Sequence, residues 1–231
     1  MYFPANDTER LSAKKTVRKQ LATARCSVAC SRCRTATWSV DAVTITPALD
    51  ARRYTRGSGE LEAWDAICAR RNVRQYKPEP VSEDDLNRIA EAGWRAPSAK
   101  NRQAWDFVIV TDRHQLEELA TVWQGAGHIA GAAAAIAFVI PEPPSERRKV
   151  TDQYDVGQAT MAMMIAATDL GIGTGHSSVG DQEKARAILG VPDDHLVAFL
   201  LGVGYPADRP LAVIRKPDRR PFDEVVHHGR W

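Results

Sequence analysis

Three arginines fall within five positions of this sequence, at Arg70, Arg71 and Arg74, and Asn72 lies between them. The planar guanidinium group donates paired hydrogen bonds that match a phosphate, so such a cluster can bind an anionic ligand. A basic run at the end of a helix is also commonly a solvated patch, because cations there suit the helix dipole. Composition alone favours the solvated patch and leaves the ligand site open.

A second polar cluster lies between Pro97 and Trp105 and contains Ser98, Asn101 and Gln103. Loops on a rigid scaffold can present such hydroxyl and amide groups to a polar ligand. The alternative is a turn in which Ser and Asn bond to their own backbone. By itself this cluster does not distinguish the two.

The elements around these clusters alternate without a regular βαβ rhythm, which favours an α+β layered fold over a doubly wound one. Apolar residues at helical spacing predict a helix from Leu61 that ends near Arg70. Ser82 and Asp85 have capping-box spacing and predict the start of a second helix, which Pro97 ends. Further predicted helices are 115–123, 155–170 (apolar almost all round, so fully buried) and 182–189; predicted strands are 105–111, 134–140, 174–178 and 196–205, with a surface loop at 141–149.

The first 60 of the 231 residues differ in composition from the rest. They contain 11 Lys and Arg against 5 Asp and Glu, whereas the remainder contains 20 against 24, so net charges of +6 and −4 are separated along the chain. Few large apolar residues and no sustained period predict an extension that is disordered or only locally helical. An over-extended gene start and a functional arm are left open. We expect the folded domain at residues 61–231.

Cys26, Cys30 and Cys33 in this extension have the spacing of an iron–sulfur triad, and three thiolates could also bind zinc with a fourth ligand. Neither interpretation is favoured, because a motif counts only in its structural context and none is predicted around it. The basic extension could contact nucleic acid non-specifically, but it lacks interleaved aromatic residues. We therefore predict no metal and no specific nucleic-acid partner.

No apolar run reaches the roughly 18 residues that a membrane span needs. The N-terminus shows no signal-peptide pattern, and the cysteines suggest no disulfide framework. These features predict a cytoplasmic protein without a membrane partner.

Taken in order, the motifs resemble the nitroreductase family over roughly residues 61–231. The resemblance rests on an ordered set: Arg70-Arg-Asn-Val-Arg74, then Ala96-Pro-Ser-x-x-Asn-x-Gln-x-Trp105, then Asp155-x-Gly-Gln-Ala159 leading to Leu170-Gly-Ile-Gly-Thr-Gly175, then Leu201-Gly-Val-Gly-Tyr-Pro206 and Arg219-Arg-Pro-Phe-Asp-Glu-Val-Val226. No single motif is decisive, but the ordered set is fairly specific. It implies a nitroreductase-like fold, mainly an antiparallel central sheet flanked by helices, in an obligate homodimer.

The resemblance also implies a flavoprotein with FMN at the homodimer interface. Arg70, Arg71 and Asn72 match the family's phosphate and ribityl contacts, and Arg74 matches a cation directed at the pyrimidine edge of the flavin. Arg219 matches a tail cation that returns to the phosphate, with Arg220 as the other register. The partner's loop and the segment beside the flavin ring complete the implied cofactor site: Pro97, Ser98, Asn101 and Gln103, and His176, Ser177 and Ser178.

The implied activity is an oxidoreductase in which a flavin carries the redox step and the protein supplies binding and electrostatics. Hydride would pass from NAD(P)H through flavin N5 to a small-molecule electron acceptor (a nitro compound, a quinone or similar) in a two-step ping-pong cycle. No catalytic side chain is therefore predicted, and the choice between NADH and NADPH stays open. Alternatives are a flavin-fragmenting enzyme that makes dimethylbenzimidazole and a non-catalytic flavin-binding sensor.

Two departures from the family pattern concern the substrate more than the cofactor. Ala104 stands where the family often has proline after the motif Gln, so the loop loses a rigid position. His176, Ser177 and Ser178 stand where bulkier residues are common, which makes the surroundings of the flavin more polar.

Overall fold

The computed structural model describes residues 62–231, so the basic extension and its three cysteines lie outside the described residues. Within this range the chain forms five α-helices, four strands and three short 3₁₀ helices. The helices are α1 Ala63–Ala69, α2 Glu83–Trp94, α3 Arg113–Leu119, α4 Glu146–Asp169 and α5 Gln182–Leu189; the strands are β1 Asp106–Val110, β2 Ala134–Pro141, β3 Gly173–Ser178 and β4 His195–Gly204; the 3₁₀ helices are Ala99–Asn101, Gly127–Gly131 and Phe222–Glu224.

The strands form one antiparallel sheet in the order β1-β2-β4-β3. Strand β2 lies inside the sheet and is buried from Ala134 to Ile140, which explains why it is continuously apolar rather than alternating. One irregularity in its pairing with β4 falls between Phe138 and Val139. The predicted α+β fold with an antiparallel central sheet is confirmed.

A hydrophobic core lies on each face of the sheet, because successive strand residues point to opposite faces. On one face Ile136 and Phe138 pack with Ile89 of α2 and Met163 of α4. The core on the other face includes residues of α3, of the Gly127–Gly131 helix and of α5: Leu116, Leu119, Ile129 and Ala185. The sheet is thus the middle of three layers.

Local signals placed several element ends correctly. The Ser82 side chain accepts a 3.1 Å hydrogen bond from the backbone N–H of Asp85, which confirms the predicted cap of α2. Helix α5 has the predicted bounds. The predicted surface loop at 141–149 is wrong in its second half, because Ser145 caps α4 and the helix begins at Glu146. The first turns of α4 are largely exposed and charged, so no apolar period marked them.

The prediction that residues 155–170 form a fully buried helix is also wrong. Met161 keeps 44% of its surface exposed. In α1 the apolar Trp64 and Ile67 face outward, and Ala66 is buried instead. Hydropathy marks these residues as apolar but does not say which surface covers them. Between residues 62 and 231, no helix is long and apolar enough to span a bilayer.

Candidate functional site

The segment after α1 lies along the outer edge of β3. The backbone N–H of Val73 donates a 2.8 Å hydrogen bond to the carbonyl oxygen of Thr174, and Asn72 forms a parallel bridge with the same residue. Tyr76 then bridges Pro206, just after β4. The arginine cluster is therefore attached to the sheet through its own backbone, although about a hundred residues separate it from β3.

Glycine in β3 makes this approach possible. A Cβ atom at Gly175 would lie 2.2 Å from the carbonyl oxygen of Val73 and 3.1 Å from the Tyr76 hydroxyl. The contact with the Val73 carbonyl oxygen leaves no room for a side chain, so the glycine is required by the close passage of another backbone. The glycine turn that the motifs singled out thus has a packing role at the site.

Two residues that the sequence did not single out lie at the same place. The Tyr76 hydroxyl donates a 2.8 Å hydrogen bond to the carbonyl oxygen of Val73, and His128 Nε2 lies 2.9 Å from the carbonyl oxygen of Gly175. Burial raises the pKa of the Tyr76 phenol, and the nearby Arg74 only partly opposes this, so the hydroxyl stays protonated and can donate. His128 is half-buried, and its contact with Gly175 spans 47 residues, which no local pattern reveals.

Arg70, Arg74 and His176 come together on this edge, and we call these three residues the basic edge. Burial lowers the pKa of the His176 imidazole, and the charges of Arg74, Arg70 and His128 lower it further. His176 is therefore held in its neutral form. Within residues 62–231, the side chains of Arg70 and Arg74 have no hydrogen-bond or ion-pair partner, so both cations are available to an anion.

Arg71 has a different position from its two neighbours. Its guanidinium makes two hydrogen bonds, of 2.8 and 3.0 Å, to the Asp208 carboxylate and a third, of 2.5 Å, to the carbonyl oxygen of Arg209. Its side chain is only 10% exposed. Its buried Nε has no partner within the described part of the chain. The predicted phosphate contact at Arg71 would have to share this guanidinium with Asp208.

The predicted cofactor loop forms a separate feature above α4. It runs through Pro97 and Ser98 to Gln103, whose backbone N–H donates a 3.0 Å hydrogen bond to the Ser98 hydroxyl oxygen. In residues 62–231, no hydrogen bond or ion pair joins this loop to the basic edge. The expectation that the loop serves a partner subunit stays a prediction.

The remaining predicted contacts are divided between the sheet and the tail. Ser177 is buried on the face opposite to His176, and its hydroxyl donates a 3.0 Å hydrogen bond to the Ser178 carbonyl oxygen. Ser178 is exposed at the end of β3. Arg219 and Arg220 are exposed and bond only within the tail, to Asp218 and Glu224, among the residues described. The described range holds no group of three or more His, Cys, Asp or Glu that could bind a metal ion.

Comparison with known proteins shows which family this fold belongs to. The sequence model of the Nitroreductase family matches residues 67–142 and 121–205. A protein of Archaeoglobus fulgidus named "Putative NADH dehydrogenase/NAD(P)H nitroreductase" is 30% identical over 176 residues, which are 74% of this chain and 99% of that protein. An NADPH-dependent oxidoreductase of Staphylococcus aureus is 27% identical over 187 residues, 73% of each chain.

Solved structures agree on the fold. The NADPH:FMN oxidoreductase of Vibrio harveyi, complexed with NAD+, superposes with a TM-score of 0.65 at 24% identity, covering 73% of this chain and 77% of that one. At 24% identity, the similarity to this solved structure establishes the fold. The class defined by the layered sheet and by these relatives is that of the NAD(P)H-dependent oxidoreductases. The chain belongs to the Nitroreductase family, as its ordered motifs predicted.

Proposed function

We propose that this chain is an FMN-dependent enzyme that passes hydride from NAD(P)H to nitro compounds, quinones or similar acceptors in a two-step ping-pong cycle. The observation that carries the proposal is the basic edge, where Arg70 and Arg74 lie beside the neutral His176 without anionic partners among residues 62–231. The solved Vibrio harveyi relative is named as an FMN oxidoreductase, which supports the choice of cofactor.

The donor groups on this edge fit the phosphate of FMN. Guanidinium groups bind phosphate with paired, charge-assisted hydrogen bonds, and the unpaired Arg70 can supply them. Because Asp208 already engages Arg71, we assign the phosphate first to Arg70, with Asn72 beside it. Arg219 remains the proposed phosphate contact from the tail. For this contact the tail would have to bring Arg219 to the basic edge.

When bound, FMN would supply the hydride chemistry, which leaves binding and electrostatics to the protein. Arg74 would stabilise the negative charge that accumulates in the flavin ring on reduction, because a fixed cation acts strongly where water is excluded. The neutral His176 and the exposed Ser178 would line the ring with polar groups that can donate or accept hydrogen bonds.

The second subunit would complete the site. Helix α4 carries an apolar stripe at heptad spacing, formed by Val150, Tyr154, Gly157 and Met161, which are exposed in the single chain. Such a stripe on a surface helix is typical of an interface. The 97–103 loop is held by Asp152 and Asp155 on another face of the same helix, and in the proposed homodimer it would reach the boundary between subunits. Pro97, Ser98, Asn101 and Gln103 would then face the partner's flavin.

The visible spectrum of the purified full-length protein tests the proposal. We expect flavin absorption, or its appearance after FMN is added, and bleaching by NADH or NADPH under nitrogen followed by recovery with a quinone. A protein that is still colourless after excess FMN has been added and the unbound FMN removed would contradict it. If the flavin spectrum does not return when the reduced protein is exposed to air, fragmentation of the reduced flavin would instead be favoured. Binding without turnover would favour a sensor.

A further inference from the structure

The 97–103 loop has an unfavourable backbone. Lys100, Asn101 and Gln103 have φ values of 56°, 52° and 52°, in the left-handed region that non-glycine residues rarely occupy. Three such residues within four positions require support from the surrounding structure. Asparagine tolerates this region, but Lys100 and Gln103 have no such preference, and the segment contains no glycine.

The support comes from an ion cluster beneath the loop, formed by Arg102, Asp152 and Asp155. Asp155 Oδ2 accepts a 3.0 Å hydrogen bond from the backbone N–H of Ala99, and an Arg102 amino group lies 3.3 Å from the carbonyl oxygen of the same residue. The other amino group of Arg102 lies 2.5 Å from Asp152 Oδ1 and 3.8 Å from Asp155 Oδ2. Both backbone groups of Ala99, at the start of the strained turn, are thus held by one cluster.

This arrangement is costly for a purely structural contact. Asp152 and Asp155 are each 4% exposed, so two buried carboxylates face a single guanidinium, whose Nε is buried and has no partner within residues 62–231. Buried charges carry a desolvation penalty that an apolar contact would avoid. Asp152 and Asp155 lie three residues apart on the same face of α4, which directs both carboxylates at the loop.

The cluster bonds to the backbone and leaves the polar side chains of the loop available. The Ser98 hydroxyl accepts a hydrogen bond from the backbone N–H of Gln103, so its own proton is still free to be donated. Asn101 bonds through its backbone: its N–H donates a 2.8 Å hydrogen bond to the Ser98 carbonyl oxygen, and its own carbonyl oxygen accepts a 3.2 Å hydrogen bond from Gln103 Nε2. Its side-chain amide has no partner in the described range.

We propose that Asp152, Asp155 and Arg102 are positioning residues that hold the 97–103 loop in its strained form, so that Ser98 and Asn101 are preset to bind the flavin of the neighbouring subunit. The inference rests on the proposed function for its ligand. Whether these three residues restrain the loop can be measured in the flavin-free protein.

The test compares Asp155→Ala and Asp155→Asn with Asp169→Asn in the full-length protein. Asp169 lies on the same helix and pairs with Arg88 of α2 at 3.3 Å, so its variant loses a carboxylate of α4 away from the loop. Two quantities are measured: the rate of trypsin cleavage after Lys100 in the flavin-free protein, and the dissociation constant of FMN.

We expect Asp155→Ala to accelerate cleavage after Lys100 and to weaken FMN binding by about tenfold each, because a charge-assisted hydrogen bond to the backbone is lost. Asp155→Asn keeps an acceptor for the Ala99 N–H and should fall between Asp155→Ala and the wild type. Asp169→Asn should leave both quantities unchanged, even if it lowers the melting temperature.

Unchanged cleavage in both Asp155 variants would overturn the proposal, as would faster cleavage with unchanged FMN affinity. Equal acceleration in Asp169→Asn would show general loosening of α4 and would also overturn it. A wild-type protein that binds no FMN would contradict the proposed function, and the cleavage rates would then show by themselves whether the cluster holds the loop.

Discussion

The Arg71 guanidinium and the Asp208 carboxylate form a two-pronged ion pair, at 2.8 and 3.0 Å, between the start of the site and the tail. A second link lies close to this ion pair. The backbone N–H of Ile214, in the tail, donates a hydrogen bond to the carbonyl oxygen of Cys68, in α1. Arg71 thus joins the tail to α1, while Arg70 and Arg74 remain unpaired within residues 62–231.

The first prediction concerns this division of roles. Asp208→Asn should leave the FMN dissociation constant within about twofold of the wild type, because Asp208 pairs with Arg71 and not with Arg70, to which the phosphate is assigned. Arg70→Ala should weaken FMN binding by about tenfold, since a charge-assisted bond to phosphate is lost. Fluorescence titration of FMN measures both. Tighter binding in Asp208→Asn would instead identify Arg71 as a phosphate contact that Asp208 restrains.

The ion pair also predicts how the tail responds to acid. The hydrogen bond from Arg71 holds the pKa of the Asp208 carboxyl below its ordinary value of 3.8. A carboxyl group whose pKa is lowered on folding stabilises the folded form fully when the pH is above its ordinary pKa. This stabilisation is lost as the pH falls through the pKa that the group has in the folded protein. Hydrogen exchange of the Ile214 amide, corrected for its intrinsic rate, should therefore show protection that is constant down to about pH 4 and then declines.

Asp208→Asn is the control for this pH dependence. Its Ile214 amide should be less protected at neutral pH and should show no additional decline in the acid range. If the variant and the wild type lose protection in parallel, the acid response belongs to another group.

The separate role of Arg74 predicts a split between turnover and affinity. Arg74→Ala should lower kcat by about a hundredfold, because a preorganised charge facing the reduced ring is lost. It should raise the FMN dissociation constant by less than Arg70→Ala does. Steady-state kinetics at saturating FMN, together with FMN titration, separate the two effects. The reverse pattern would mean that the two arginines have exchanged roles.

The packing of Gly175 predicts a stability defect coupled to the site. Gly175→Ala should lower the free energy of unfolding by about 1–3 kcal/mol, because overpacking must displace either β3 or the Val73 backbone. It should also weaken FMN binding, since the segment from Arg70 to Arg74 would move. Gly131→Ala is the matched control, because a Cβ there would meet no atom within 4 Å. Urea unfolding of both variants gives the comparison.

The apolar stripe of α4 predicts the assembly. Met161→Lys should shift the protein from dimer to monomer in analytical ultracentrifugation, because a buried, unpaired ammonium is costly. FMN affinity should fall with it if the partner completes the site. Glu117→Lys adds a lysine at an exposed position of α3 and should leave both properties unchanged. A Met161→Lys dimer of unchanged stability would place the interface elsewhere.

Much of the fold could be predicted because its signals are local. The Ser82 cap and the bounds of α5 depend on residues a few positions apart, and both predictions are confirmed. The start of α4 could not be predicted in this way, because its first turns are largely exposed. The exposed Met161 was assigned to the core for a related reason: hydropathy is the same for a residue that faces the core and one that faces a partner.

The sequence by itself determined the family, because the order and spacing of four motifs are properties of the chain, and it placed Arg70, Arg74 and His176 among the candidate residues. The tertiary structure decided which of these groups meet. It brought His128 to Gly175 across 47 residues and Asp208 to Arg71 across 137. It also placed two buried carboxylates beneath the strained loop. Such contacts depend on how the layers pack, and packing between distant segments leaves no periodic trace in the sequence.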